Sequence, residues 1–273
     1  MVSSTGFKEA GELDMHQVAT TQQQAQALSF TLNGQPVSTL CEPGETLLDV
    51  LRERLGIISP KNGCQPQASC GCCTVTIGGR PLLSCVLPAA KAAGKEIVTN
   101  EGLPEEIRRQ ISDCFVRAGA VQCGFCIPGI INRSVALVAK NPSPTRDEIA
   151  HDLRGHLCRC TGYVKILDAV EHYAALRAGQ SLPPADPSSG VGARLDRYTG
   201  QSTALGDRAY VDDLQVEGML FAAPRLSDHP RATLRGIDAT EAEKLDGMVR
   251  VLTAADVPGE RHVGLIEKDW PIF

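Results

Sequence analysis

Along residues 28–40, LSFTLNGQPVSTL, apolar and polar positions alternate on either side of Asn33-Gly34. Alternation with a period of two predicts half-buried strands, and Asn-Gly supplies the positive φ angles of a tight hairpin turn. The period then changes. In GETLLDVLRERLG (44–56) the apolar residues fall at helical spacing and the pattern stops at Gly56, a C-terminal cap. A second alternating pair, CTVTIGGRPLLSC (73–85), turns at Gly78-Gly79, which reads as a hairpin turn and not as a nucleotide-binding loop.

The next stretch is helical. PEEIRRQISDCFVRAGA (104–120) opens with Pro104 at a first helical position and acids in its first turn. CGFCIPGIINRSVALVAKN (123–141) has Pro128 near the start of a second helix. Thr145 and Glu148 fit a capping box that opens a third, and YVKILDAVEHYAALRAG (163–179) is a fourth. The fold class is therefore α+β. A β-grasp-like unit over 28–101 precedes a four-helix unit over 102–179. A Pro-, Ser- and Gly-rich linker follows over 180–200. Residues 201–273 read as the start of a further α/β domain, with strands in YVDDLQVEGMLFAAPRL and GMVRVLTAADVPG and a short helix in DATEAEKL. The polar, Gln-rich residues 1–27 read as a disordered lead-in, within which Met15 is an alternative start.

Composition narrows the function classes. The 273 residues carry a formal charge of −5, which argues for neither a nucleic-acid nor a membrane partner. No apolar run approaches the ~20 residues of a membrane span. The N-terminus lacks the basic and apolar regions of a leader, so the expected location is the cytoplasm. There thiols stay reduced, and the eleven cysteines are an odd number, so a disulfide framework is not expected.

The cysteines themselves fall in two sets. The first, in NGCQPQASCGCCTVTIGGRPLLSC, reads C-x5-C-x2-C-x11-C as Cys64, Cys70, Cys73 and Cys85. Three thiolates on one Gly-rich loop and a fourth on the adjoining hairpin suit a small inorganic core whose sulfides accept backbone N–H bonds. Zinc sites more often use two C-x2-C knuckles. The second set is CGFC (Cys123, Cys126) and CRC (Cys158, Cys160), both at helix termini. A C-x2-C pair alone is ambiguous between zinc, redox and cluster chemistry; C-x-C is unusual for a zinc knuckle.

Together, GC…CGCCTV…C, QCGFCIPG and HLCRCTGY resemble the two-cluster iron–sulfur subunit of the molybdenum hydroxylases, the xanthine dehydrogenase and aldehyde oxidase family, over about residues 28–179. The resemblance implies two [2Fe–2S] clusters. One is held by Cys64, Cys70, Cys73 and Cys85 in a plant-type ferredoxin-like β-grasp domain. The other is held by Cys123, Cys126, Cys158 and Cys160 in a four-helix domain. It also implies that Gln122 and Cys160 lie against the pterin of a molybdenum cofactor. Electrons would then pass from molybdenum to the second cluster, to the first, and on to a flavin or another acceptor. Residues 201–273 are similar to the hammerhead segment that opens the family's molybdenum subunit. The molybdenum–pterin cofactor, and any FAD, would belong to partner chains or a missing remainder, and the chain alone is not expected to turn over substrate. A truncated, partner-less iron–sulfur fragment and a zinc-stabilised interaction module are the alternatives.

Three features depart from the family pattern. Five residues separate Cys64 from Cys70 in place of four, Ala68 lies where a Gly is expected, and His156 stands where Asn is usual. The C-x2-C pattern favours Cys70 and Cys73 over Cys72, whose side chain is expected to point away from the cluster. His156 raises Rieske-like ligation, disfavoured because all four cysteines are present. Cys41 and Cys114 are read as packing residues, His151 and His172 as ordinary helix-surface histidines, and Arg159 as a structural or surface charge.

Overall fold

The computed structural model describes residues 25–271 except 186, 187, 189 and 194, so nearly all of the expected lead-in lies outside the described residues. Strands β1 (Gln26–Leu32) and β2 (Gln35–Cys41) form the first hairpin, with Asn33 and Gly34 both left-handed at φ 52° and 80°. Strands β3 (Thr74–Ile77) and β4 (Arg80–Leu83) form the second, around Gly78-Gly79. A three-residue strand, β5 (Glu96–Val98), joins them. It pairs parallel to β1 and antiparallel to β3, so the mixed sheet runs β2-β1-β5-β3-β4. Three residues are too few for periodicity to register, which is why β5 escapes the sequence pattern.

Helix α1 (Leu47–Asp49) continues as a π-helical turn over Val50–Arg54. Thr46 and Asp49 close a reciprocal capping box, with Asp49 N–H donating to Thr46 Oγ1 at 3.2 Å and Thr46 N–H to Asp49 Oδ2 at 3.0 Å. The helix is shorter than the expected 44–56 because this cap sets its start. Its buried Leu47, Val50 and Leu51 pack on Leu28, Phe30, Val75, Ile77 and Ile97 of the sheet. Each such burial contributes about 1.5–3 kcal/mol.

Helices α2 (Glu105–Arg117), α3 (Ile127–Lys140), α4 (Arg146–Asp152) and α5 (Tyr163–Arg177) follow. They enclose a core that includes Ile111, Phe115, Ile130, Ile131, Ile166, Val170 and Tyr173. α4 starts at the Thr145–Glu148 capping box that its sequence announces. The start of α3 lies against the first cysteine loop, where a β-carbon on Gly129 would come within 2.4 Å of the Gly71 carbonyl oxygen. Beside it Asn132 Nδ2 donates to Asn100 Oδ1 at 2.6 Å, and Asn100 Nδ2 donates to the carbonyls of Pro128 (3.1 Å) and Leu205 (3.2 Å). This buried polar network is paired throughout, as a core requires.

Helix α6 (Gly200–Leu205) and the residues up to Gln215 pack with the preceding units, and Val216–Phe273 form a separate one. In that second unit the anticipated strands and the helix at 238–245 do not form. Its described residues contain a 3-10 turn over Ala254–Asp256 and the two-residue strands β6 (His262–Val263) and β7 (Trp270–Pro271). Residues 216–261 pair with no described strand, and an extended segment holds its shape only when its N–H and C=O groups find such a ladder.

Candidate metal centres

The first cysteine loop is shaped by its backbone. Gln65 and Ala68 both adopt left-handed conformations, at φ 56° and 55°. Ala68 thus occupies a conformation in which a residue without a β-carbon is unstrained, which accounts for the Gly expected in that region. The loop aims amides at sulfur: Gln67 N–H lies 3.3 Å from Cys64 Sγ. Burial pushes the Cys64 thiol up, but N–H donors from Ser69 and Gln67 outweigh it and bring its pKa down to about 6. Such donors favour the thiolate, the form that binds iron.

Within each set the cysteines predicted as ligands act on one another, and Cys70 also acts on Cys72. Cys64 interacts with Cys70, and Cys73 with Cys85, whose thiol also lies within the field of Cys64. In the second set Cys123 interacts with Cys160 and Cys126 with Cys158, while the Cys123 and Cys126 thiols sense one another's pair. Burial drives the Cys85 thiol up to about 12, with Cys73 adding to it, and burial also raises Cys70, Cys123 and Cys126. Cys160 is lowered instead, by the Cys123 N–H and side chain. Gly162 N–H reaches Cys158 Sγ at 3.4 Å. Among the described residues no three Cys, His or carboxylate groups converge on one point as a single tetrahedral ion requires. Paired thiols with amides directed at sulfur instead fit a binuclear core with two thiolates per iron.

The remaining predicted residues fall as follows. Cys123 and Gln122 are exposed and Cys160 is half-buried. Gln122 Nε2 lies beside the CRC loop, 3.5 Å from where a Gly162 β-carbon would stand. Cys72 is buried, donates weakly to the Cys70 carbonyl at 3.6 Å, and has its thiol pushed up by burial and by Cys70, with a smaller contribution from Cys126 of the second set. Cys41 and Cys114 are buried in apolar surroundings. His156 is buried too, with Nε2 3.3 Å from Thr74 Oγ1. Burial, then the Arg133 charge, takes its pKa down to about 4. Its ring covers Gly71, where a β-carbon would lie 2.5 Å from His156 Cδ2. Sequence reasoning missed Gly71 and Gly129 as the points where the two centres touch. The glycines are visible in the motifs, but nothing local reveals what lies against them.

Three family models match consecutive stretches of the chain: the 2Fe-2S iron-sulfur cluster binding domain over 30–98, the [2Fe-2S] binding domain over 99–171, and the a/b hammerhead domain of aldehyde oxidase and xanthine dehydrogenase over 205–271. The nicotinate dehydrogenase small FeS subunit of Eubacterium barkeri is 45% identical over 146 residues, which cover 53% of this chain and 92% of that protein. The chain belongs to the xanthine dehydrogenase and aldehyde oxidoreductase family. It is an electron-transfer module with domains for two [2Fe–2S] clusters. The aldehyde oxidoreductase of Megalodesulfovibrio gigas is 34% identical over 253 residues, 87% of this chain but 28% of that protein. The crystal structure of the aldehyde oxidoreductase from Desulfovibrio desulfuricans superposes with a TM-score of 0.79 at 30% identity and again covers 87% of this chain and 28% of that one. The chain thus spans less than a third of these longer relatives. Among the described residues no helix is long and apolar enough to cross a membrane.

Proposed function

We propose that the chain relays electrons between a molybdenum–pterin cofactor and a flavin or other acceptor, through a β-grasp ferredoxin-like domain and a four-helix domain. Cys64, Cys70, Cys73 and Cys85 hold one [2Fe–2S] cluster, and Cys123, Cys126, Cys158 and Cys160 the other. When bound, each cluster supplies one-electron oxidation and reduction, so the pair handles a two-electron oxidation in single steps. The observation that carries the reading is the junction between the two thiol sets. Leu157 N–H donates to the Cys70 carbonyl at 2.9 Å, and the next residue is Cys158. One hydrogen bond therefore joins a residue of the first set to the neighbour of a residue of the second.

The chain's own groups suit this role. Amides directed at Cys64 and Cys158 stabilise thiolate charge, and burial excludes water from Cys70, Cys73, Cys85, Cys126 and Cys158. Gln122 is exposed beside the CRC loop and Cys160 is half-buried within it, and there we place the pterin contact and the molybdenum-bearing partner. Electrons enter on that side and leave from the Cys64 side, toward an FAD-bearing or other partner. We place the protein in the cytoplasm, where reduced thiols are available for cluster assembly. The substrate is an aldehyde or an N-heteroaromatic compound such as a purine, oxidised on the molybdenum-bearing partner.

Electron paramagnetic resonance of the reduced, anaerobically purified chain tests this, with iron, sulfide and zinc measured on the same sample. The reading expects two distinct signals and about four irons and four sulfides per chain. Stoichiometric zinc without a signal would overturn it in favour of the zinc-stabilised module.

A further inference from the structure

Residues 199–214 touch both thiol-bearing loops. Asp213 sits at the centre, its side chain 1% exposed, accepting from Lys61 Nζ at 2.5 Å and from Arg52 Nη2 at 2.7 Å. Lys61 is 2% exposed, and its backbone N–H donates to the Cys72 carbonyl at 3.1 Å inside the first cysteine loop. The Lys61 ammonium stands 4.8 Å from the centroid of the Tyr210 ring. Asp213 Oδ2 also accepts from the Tyr210 N–H at 2.8 Å, so the carboxylate holds Tyr210 in place.

Tyr210 then reaches the other centre. Its hydroxyl donates to the Cys123 carbonyl at 2.6 Å, and its ring packs edge-on against Phe125, with centroids 5.8 Å apart and planes at 68°. Thr203 completes the contact: a β-carbon on Gly124, at φ 88°, would come 2.2 Å from the Thr203 methyl. The CGFC loop is thus gripped at Cys123, Gly124 and Phe125 by a segment that follows the linker. Cys123 is exposed, whereas Gly124 and Cys126 of the same loop are buried, so Cys123 is the member these contacts matter to most.

We propose that Tyr210, braced by Asp213 and Lys61, is a positioning residue that fixes the Cys123–Cys126 loop relative to the first cysteine loop and so sets the retention and reduction potential of the second cluster. The inference rests on the two-cluster reading above. The hydroxyl dipole points its positive end at the Cys123 carbonyl, which favours the reduced, more negative state of a cluster held there. The Phe125 contact limits the loop's opening to water.

The test uses the iron-loaded full chain and follows each resonance signal separately, the second being the one abolished in Cys158→Ser. Tyr210→Phe keeps the ring contacts and removes only the hydroxyl. It is expected to lower the midpoint potential of the second signal and to speed its decay under a chelator severalfold, with the first signal unchanged. Tyr210→Ala, which also removes the ring, is expected to accelerate that decay further. A second signal that keeps its midpoint and decay rate in Tyr210→Phe overturns the proposal. So does equal loss of both signals together with a lowered unfolding temperature, which would make the strap a general staple. A wild-type chain without iron signals would remove the two-cluster reading and this inference with it.

Discussion

Replacing Asp213 by Asn removes one charge and almost no volume from a site where water cannot compensate. In the native chain the carboxylate meets Lys61 and Arg52, and the two directly paired side chains, Asp213 and Lys61, are 1% and 2% exposed. Burial pushes the Asp213 carboxyl up, but hydrogen bonds from Lys61, the Tyr210 N–H and Arg52 outweigh it and hold the group below its usual range. Burial pushes Lys61 down, with Asp213 offsetting part of the change. Arg52 keeps the carbonyls of Ile58 (3.4 Å) and Pro60 (2.9 Å), whereas the Lys61 ammonium has no second acidic partner in hydrogen-bond contact among the described residues. An exposed pair would contribute about 0–1 kcal/mol, but leaving a buried cation unpaired costs about 3–5 kcal/mol. In a folded unit of this size that corresponds to roughly 6–20 °C in melting temperature.

The assay is thermal unfolding of the iron-loaded chain, comparing wild type, Asp213→Asn, Lys61→Met and the Lys61→Met/Asp213→Leu double variant. Each single variant should lose several degrees and the double variant should recover much of the loss, because removing both charges also removes their desolvation cost. The pH dependence carries the sign. A lowered carboxylate contributes stability that is complete above the ordinary aspartate range and is lost as pH falls through its depressed native value. The gap between wild type and Asp213→Asn should therefore be full at neutral pH and narrow only in strong acid. A loss under about 1 kcal/mol in Asp213→Asn would refute the reasoning, since the pair would then behave as if it were exposed.

Three further outcomes are expected. Gly129→Ala drives a β-carbon toward the Gly71 carbonyl, backbone that cannot swing aside, and should cost about 1–3 kcal/mol with loss of first-cluster iron, read by melting and iron content. Ala68→Gly relieves a left-handed residue and should leave melting unchanged or raise it by up to about 1–2 kcal/mol, with Cys64 still available for iron; a clear destabilisation would contradict the loop conformation. Cys72→Ala should keep both resonance signals and about four irons per chain, whereas loss of the first signal would make Cys72 a ligand.

The sequence alone went far where structure is local. Asn33-Gly34 and Gly78-Gly79 turn hairpins because only their backbone freedom is needed, and the Thr145–Glu148 box opens its helix because both partners lie within one turn. The cysteine spacings sorted the thiols into two sets for the same reason, since most of each set sits on one loop or on two short motifs. Three things only the tertiary structure decided. The β5 pairing depends on strands far apart in the chain. The approach of Gly71 to Gly129 and His156 depends on how the two units pack. The recruitment of Tyr210 and Asp213 across the linker depends on a buried charge on Lys61 that must find its counter-ion wherever the fold brings one. A hydrophobic or cysteine pattern reports which way a residue faces within its own element; it carries no record of which distant residue will face it, and that is where these contacts are determined.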